Sequence, residues 1–370
     1  MTAEEQRFLE RAATLGDRQR APRDSGQGLR YPVAFEALWP LYQRRCPLKR
    51  PIQETLFALP PRVRPAALHG EHEALAERLP RSVRLGTMSW SFEGWRGIVY
   101  SRESESKRLA DEGLEAYAAH PLLRCVEIDR SFYEPLRNSA FQSFAERVPE
   151  QFRFVVKAHE DCTLLRFPEH ARYGKRRLEE NPRFLDPSYA ADVVVGPAVE
   201  GLGAKLGVLL FQFPPQAFTH DVRFPDVLQR FLSRLPKGVP YAVEVRNAEL
   251  LTAEYGRVLA ENGVIHCHNI WGAMPEIHQQ ARQLPKAVRK LLLVRWLLRR
   301  GDSYEGARSR MAPFNRLSEP DPATRDSVAE LVARAVQFDV PALVLVNNKA
   351  EGCAPASIFE IAAALAGRLK

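Results

Sequence analysis

Glu127, Lys157, Glu244, Arg246 and Arg295 each interrupt a short apolar run: "CVEIDRSF", "FRFVVKA", "YAVEVRN" and "LLLVRWLL". Ionised side chains in such settings are unfavourable by several kcal/mol unless neutralised. The two glutamates are therefore expected to pair with Lys157, Arg246 or Arg295. Two carboxylates, one lysine and two guanidinium groups supply what proton transfer at an anchored anionic substrate requires. Glu127, Lys157 and Glu244 are the candidate catalytic residues, and Arg246 and Arg295 the candidate anion ligands. Gln212, Asn347 and Asn348 end two further apolar runs and could orient a substrate. Trp90 and Tyr133 could stack on it, or close the site by packing.

Other chemistries use the same residues. Glu127 and Glu244 could form a glycosidase pair, whose separation would select the stereochemical course. Lys157 could form a Schiff base if its charge were suppressed. Glu127, His159, Glu244, His266 and His268 suit a divalent metal by ligand type, although no short ligand motif links them. Ion pairs that only fill the protein interior are the alternative with no chemistry.

Positioning these side chains requires strands. Eight runs have strand length and composition: residues 83–90, 125–132, 152–158, 206–213, 241–247, 263–269, 291–298 and 341–348. Segments with helical spacing, such as "SAFQSFAERV" and "DSVAELVARAVQF", lie between them. Strand and helix alternating eight times predict a closed, all-parallel (β/α)8 TIM barrel over residues 81–370. A doubly wound sheet would carry a glycine-rich phosphate turn after its first strand, and "GTMSWSFEGW" lacks that spacing.

In such a barrel one strand face packs on helices and the other faces the bore, with sites at the C-terminal mouth. Phase then places Glu127 and Asp129, Lys157 and His159, Gln212, Glu244 and Arg246, His266 and His268, and Arg295 inward, and strand eight ends in Asn347 and Asn348. All lie near the C-terminal ends of their runs, so they are expected to converge.

Residues 1–80 read as an irregular extension with short helices, rich in Arg and Pro. The N-terminus is charged without an apolar central stretch, unlike a secretory signal. No apolar run approaches the ~20 residues of a membrane span. The five cysteines are widely spaced, fitting reduced thiols in a cytoplasmic protein. The net charge of +8 is concentrated: residues 281–316 hold ten Lys and Arg against Asp302 and Glu305. That segment could bind phosphate or nucleic acid, or present solvated helix faces.

The blocks "GTMSWSFEGWRG", "VEIDRSFYEP", "FRFVVKAHEDCT", "LGVLLFQFPPQ", "YAVEVRN" and "VNNKAEGCAP", in this order, resemble the DUF72 (YecE-like) family from residue 83 onward. The resemblance implies a TIM barrel and brings no established reaction. Its recurring polar positions correspond to Trp90, Glu127, Phe132, Tyr133, Lys157, Gln212, Glu244, Arg246, Arg295, Asn347 and Asn348. Two departures stand out. "HCHN" replaces an aspartate after strand six, and "VRWLLRRGDSYEGARSRMAPFNRL" replaces an Arg-Leu-His-Gly block at strand seven. Roles tied to that aspartate or histidine therefore do not transfer. Likeness of some members to endonuclease IV implies a metal-dependent phosphodiesterase or nucleic-acid binder as an alternative to an enzyme acting on a small anionic ligand. A non-catalytic scaffold is the third expectation.

Overall fold

The structure, a computed structural model, describes residues 62–369 except 217, 219–222, 273 and 285–289. The first 61 residues of the expected extension, and Lys286 and Arg289 of the basic segment, lie outside the described residues.

Eight strands run in order around a closed barrel: β1 (Val83–Thr87), β2 (Leu123–Ile128), β3 (Arg153–Lys157), β4 (Leu206–Phe213), β5 (Tyr241–Val245), β6 (Ile265–Ile270), β7 (Leu292–Trp296) and β8 (Ala342–Val346). Every neighbouring pair is parallel, and β8 closes on β1. This is the (β/α)8 barrel that strand–helix alternation predicts.

The period-two alternation of the strands separates two apolar clusters. Val126, Val156, Val243, Val294 and Val344 face outward and pack with the helices. Val155, Val208, Leu210, Ala242, Leu293 and Leu343 face the bore and fill its lower part. Gly86 lets β1 and β2 approach closely where their register shifts, since a Cβ there would meet the Cys125 carbonyl oxygen at 1.9 Å.

The helices stop and start by ordinary capping chemistry. Asp321 accepts from Thr324 N ahead of Pro322–Gln337, with proline in the first turn where its missing N–H is harmless. Thr252 caps Ala253–Asn262, which ends on Gly263 at a left-handed φ of 66°.

Residues 62–80 carry the helix Gly70–Arg78. It packs on the closing helix Ala354–Arg368, with His72 against Phe359 at 4.1 Å and Arg78 donating to the Ala366 carbonyl at 2.8 Å.

Candidate active site

Arg295, on β7, is at the centre. Its guanidinium crosses the bore and grips Glu127 of β2 with two parallel bonds, Nε to Oε2 at 2.9 Å and Nη2 to Oε1 at 2.8 Å. Nη1 donates to Oε2 of Glu244 on β5. Arg246 then donates through Nε to Oε1 of Glu244 at 2.8 Å and lies over the Trp271 ring at 5.1 Å. The result is a chain Glu127–Arg295–Glu244–Arg246 spanning three strands, with its first three members buried. Bidentate geometry makes such buried pairing tolerable where a point charge would not.

The two carboxylates have opposite electrostatics. Burial pushes Glu127 above its ordinary value, and Arg295 and Lys157 only partly offset this. Burial also acts on Glu244, but the charges of Arg295 and Arg246 outweigh it and hold that carboxyl down at about 2. Glu127 lines a cavity of about 620 Å³ at the C-terminal mouth, while Glu244 is sealed behind the arginines. That volume suits a small metabolite.

Lys157 ends β3, donates to Asp129 Oδ1 at 2.7 Å, and lies 3.8 Å from the centre of the Phe132 ring. Gln212 pairs in register with Glu244 and lines the cavity, with no hydrogen-bond partner for its amide among the described residues. Asn347 also lines it, its Oδ1 accepting from Lys349 N at 3.0 Å. Tyr133 is half open at the rim; burial and Asp129 raise its phenol to about 12, and Arg172 lies over its ring at 5.1 Å.

Several predicted residues sit elsewhere. Trp90 does not line the cavity; it packs on Phe144 at 5.4 Å and donates from Nε1 to the Ala110 carbonyl at 3.3 Å. His159 turns to the Tyr189 hydroxyl at 2.8 Å. His266 and His268 do not face the bore, which corrects the phase read for β6: Ile265 and Cys267 occupy the interior instead. His266 is held between Tyr255 and Gln280 of the outer helices, at 3.1 and 3.2 Å, and burial lowers it to about 4. The physical reason is that "IHCHNI" carries polar groups on both faces, so apolar alternation could not choose between them. The five-residue metal set accordingly does not assemble. No group of three or more His, Cys, Asp or Glu side chains among the described residues could hold a metal ion.

Three of the five arginines between β7 and Pro322 are also occupied. Arg299 and Arg310 both bind Glu319, at 3.2 and 2.6 Å, Arg310 also binds Asp302 at 2.9 Å, and Arg300 binds Glu276 at 3.1 Å.

Strand phase missed three charged cavity residues. Glu160 and Arg172 form an ion pair from the loop after β3, and no periodicity extends into that loop. Lys349 follows Asn348 in the turn after β8, and its position just past a strand's C-terminal end was the available signal.

A parallel eight-stranded barrel with a charged C-terminal mouth defines a TIM-barrel protein with its candidate site at the position common to that fold. Within that class the chain belongs to the DUF72 family, "Protein of unknown function DUF72", which it matches over residues 84–370. It is similar to the UPF0759 protein YunF of Bacillus subtilis (strain 168), 31% identical over 168 residues, which are 45% of this chain and 51% of that protein. The chain thus spans about half the length of the curated relative it matches. Among solved structures it resembles a DUF72 family protein from Thermotoga maritima MSB8, 18% identical, covering 75% of this chain and 96% of that one with a TM-score of 0.53. It also resembles one from Enterococcus faecalis V583, 19% identical, covering 76% and 95% with a TM-score of 0.52. At these identities the structural likeness concerns the fold.

Proposed function

We propose that this DUF72 chain is an enzyme that binds a small anionic, phosphate-bearing substrate at the barrel mouth and moves a proton through Glu127. The observation that carries the reading is the divergence of two carboxylates bridged by one arginine. Glu127 is raised and lines the cavity; Glu244 is depressed and sealed. Carboxyl groups whose environments push their proton affinities apart are how acid and base roles are divided within one site. Glu244 fixes Arg295, Arg295 aims Glu127, and Lys157 stabilises negative charge beside it. Gln212 and Asn347 present amides for orientation. The four cysteines among the described residues are free and buried, which suits a reducing compartment such as the cytoplasm.

The nucleic-acid or phosphodiesterase alternative drew on the basic segment after β7. Pairing of Arg299, Arg300 and Arg310 with carboxylates, and burial of Arg295, favour the small-molecule reading.

The test is a thermal-shift screen of phosphorylated metabolites, nucleotides and divalent cations, followed by turnover of the best ligand monitored by NMR. A phosphorylated small molecule at 100 times its Kd should stabilise wild type by about 2.7 kcal/mol. Glu127→Gln should bind it and turn it over about 10²–10⁴-fold more slowly. A Glu127→Gln variant working at the wild-type rate sinks the proton-transfer role. Stabilisation by DNA or RNA alone, falling steeply with salt, would transfer the site to the alternative.

A further inference from the structure

The cavity wall holds five cations and three carboxylates, with Glu244 behind them as a fourth. Four of the cations have an acidic partner: Lys157 has Asp129, Arg172 has Glu160, Arg246 has Glu244 and Arg295 has Glu127. Lys349 has none among the described residues. Its ammonium lies over the Tyr304 ring at 4.0 Å and near Phe314 at 5.6 Å, and the residue is only 7% exposed. Aromatic faces hold a cation in place without neutralising it.

Asn348, one residue earlier, is 2% exposed and lines the same cavity. Its Oδ1 is fixed by two donors, Trp95 Nε1 at 3.1 Å and Ala354 N at 2.8 Å. Its Nδ2 is buried with no partner among the described residues. A native protein rarely leaves a buried amide donor unmet, and fixing the oxygen fixes where that donor points. The nearest acid in sequence, Glu351, is occupied by Arg325 at 3.1 Å and by the Asp321 backbone N–H at 2.6 Å, and does not line the cavity. Gly352, at φ 110°, packs against Arg316 and Ser318 and turns the chain into the helix Ala354–Arg368, whose first residue borders the cavity.

Resting on the function proposed above, we infer that Lys349 and the Asn348 amide form the seat for the substrate's phosphoryl group, and that Arg246 and Arg295 do not. One unneutralised cation calls for one negative charge. When Glu127 takes up a proton the surplus becomes two, which matches a phosphate monoester dianion better than a carboxylate. The ammonium offers three donors and the amide another, and a tetrahedral oxyanion can accept several at once. Phosphate sites of this fold recur beside its last strands.

Inorganic phosphate and acetate are the probes, titrated by calorimetry into the full chain as wild type, Lys349→Met, Lys349→Arg and Asn348→Asp. Asn348→Asp keeps the oxygen that holds Trp95 and Ala354, and replaces the free donor by a negative oxygen. Melting temperatures of the unliganded variants report folding. The expected result is phosphate binding by wild type, at least a tenfold loss in Lys349→Met and Asn348→Asp, and recovery in Lys349→Arg. Undiminished binding by Lys349→Met overturns the seat. Binding of acetate in preference to phosphate overturns the phosphoryl assignment while leaving an anionic substrate in place. Binding of neither anion also overturns the seat, and the proton-transfer role is then judged separately by Glu127→Gln turnover.

Discussion

Leu210 and Gln212 lie two residues apart on β4 and face the same bore, yet they belong to different regions of it. Around Leu210 the interior is apolar and closed, filled by Val155, Ala242, Leu293 and Leu343. Around Gln212 it is built from Glu127, Lys157, Glu244 and Arg295, and opens into the cavity. The lower bore is held by close packing, which tolerates small changes in side-chain identity. The upper bore is held by a few directed bonds, each of which leaves a buried charge behind if broken. The difference teaches that the mouth is not simply a continuation of the core with polar residues substituted in; it depends on the lower layers for rigidity and on ion-pair geometry for its own integrity.

Three experiments press on this contrast. Arg295→Met should have the largest effect, about 3–5 kcal/mol in urea unfolding, because it leaves Glu127 buried without its bidentate partner and Glu244 with Arg246 alone. Loss below about 1 kcal/mol would show that the upper bore is not held by its charges. Leu210→Ala comes next, at about 2–5 kcal/mol from lost burial and the cavity left behind, with phosphate affinity measured by calorimetry unchanged. A parallel loss of affinity would mean that the two regions are one.

The smallest effect concerns the outer face of β6. His266 is lowered to about 4 from an ordinary 6.5, and His120 likewise to about 4, both by burial. A depressed value means the folded state favours the neutral ring. Stability is therefore full above pH 6.5 and declines as pH falls from there towards 4. Glu244, held at about 2 against an ordinary 4.5, adds a further decline below 4.5. The raised Glu127 acts in the opposite sense and above 4.5, adding stability as pH falls towards 4.5 and so offsetting part of the histidine decline. His266→Gln should flatten the slope of unfolding free energy between pH 6.5 and 4 without altering ligand affinity at neutral pH. An unchanged slope would remove His266 from the account.

Strands β2, β3, β5 and β7 were legible because their outward residues flanking the charged positions are apolar, so Glu127, Lys157, Glu244 and Arg295 were expected to face inward. The pairing of Glu244 with Arg246 was legible too, being local. Strand β6 was not, because His266 is satisfied by Tyr255 and Gln280, contacts that exist only once the helices before and after the strand have docked. Trp90 had the composition of a binding residue, but its indole N–H answers a helix carbonyl. Lys349 escaped for a different reason: alternation ends with the strand, and the side chain's lack of an acidic neighbour is a property of the assembled mouth.

Hydrogen bonds between adjacent strands tie the barrel only around its circumference, whereas Arg295 reaches across the middle and fastens β7 to both β2 and β5. It works as a strut across a hoop. Ovalising the barrel would stretch that strut before it disturbed any rung of the sheet, so the roundness of the opening and the aim of Glu127 are set by the same side chain.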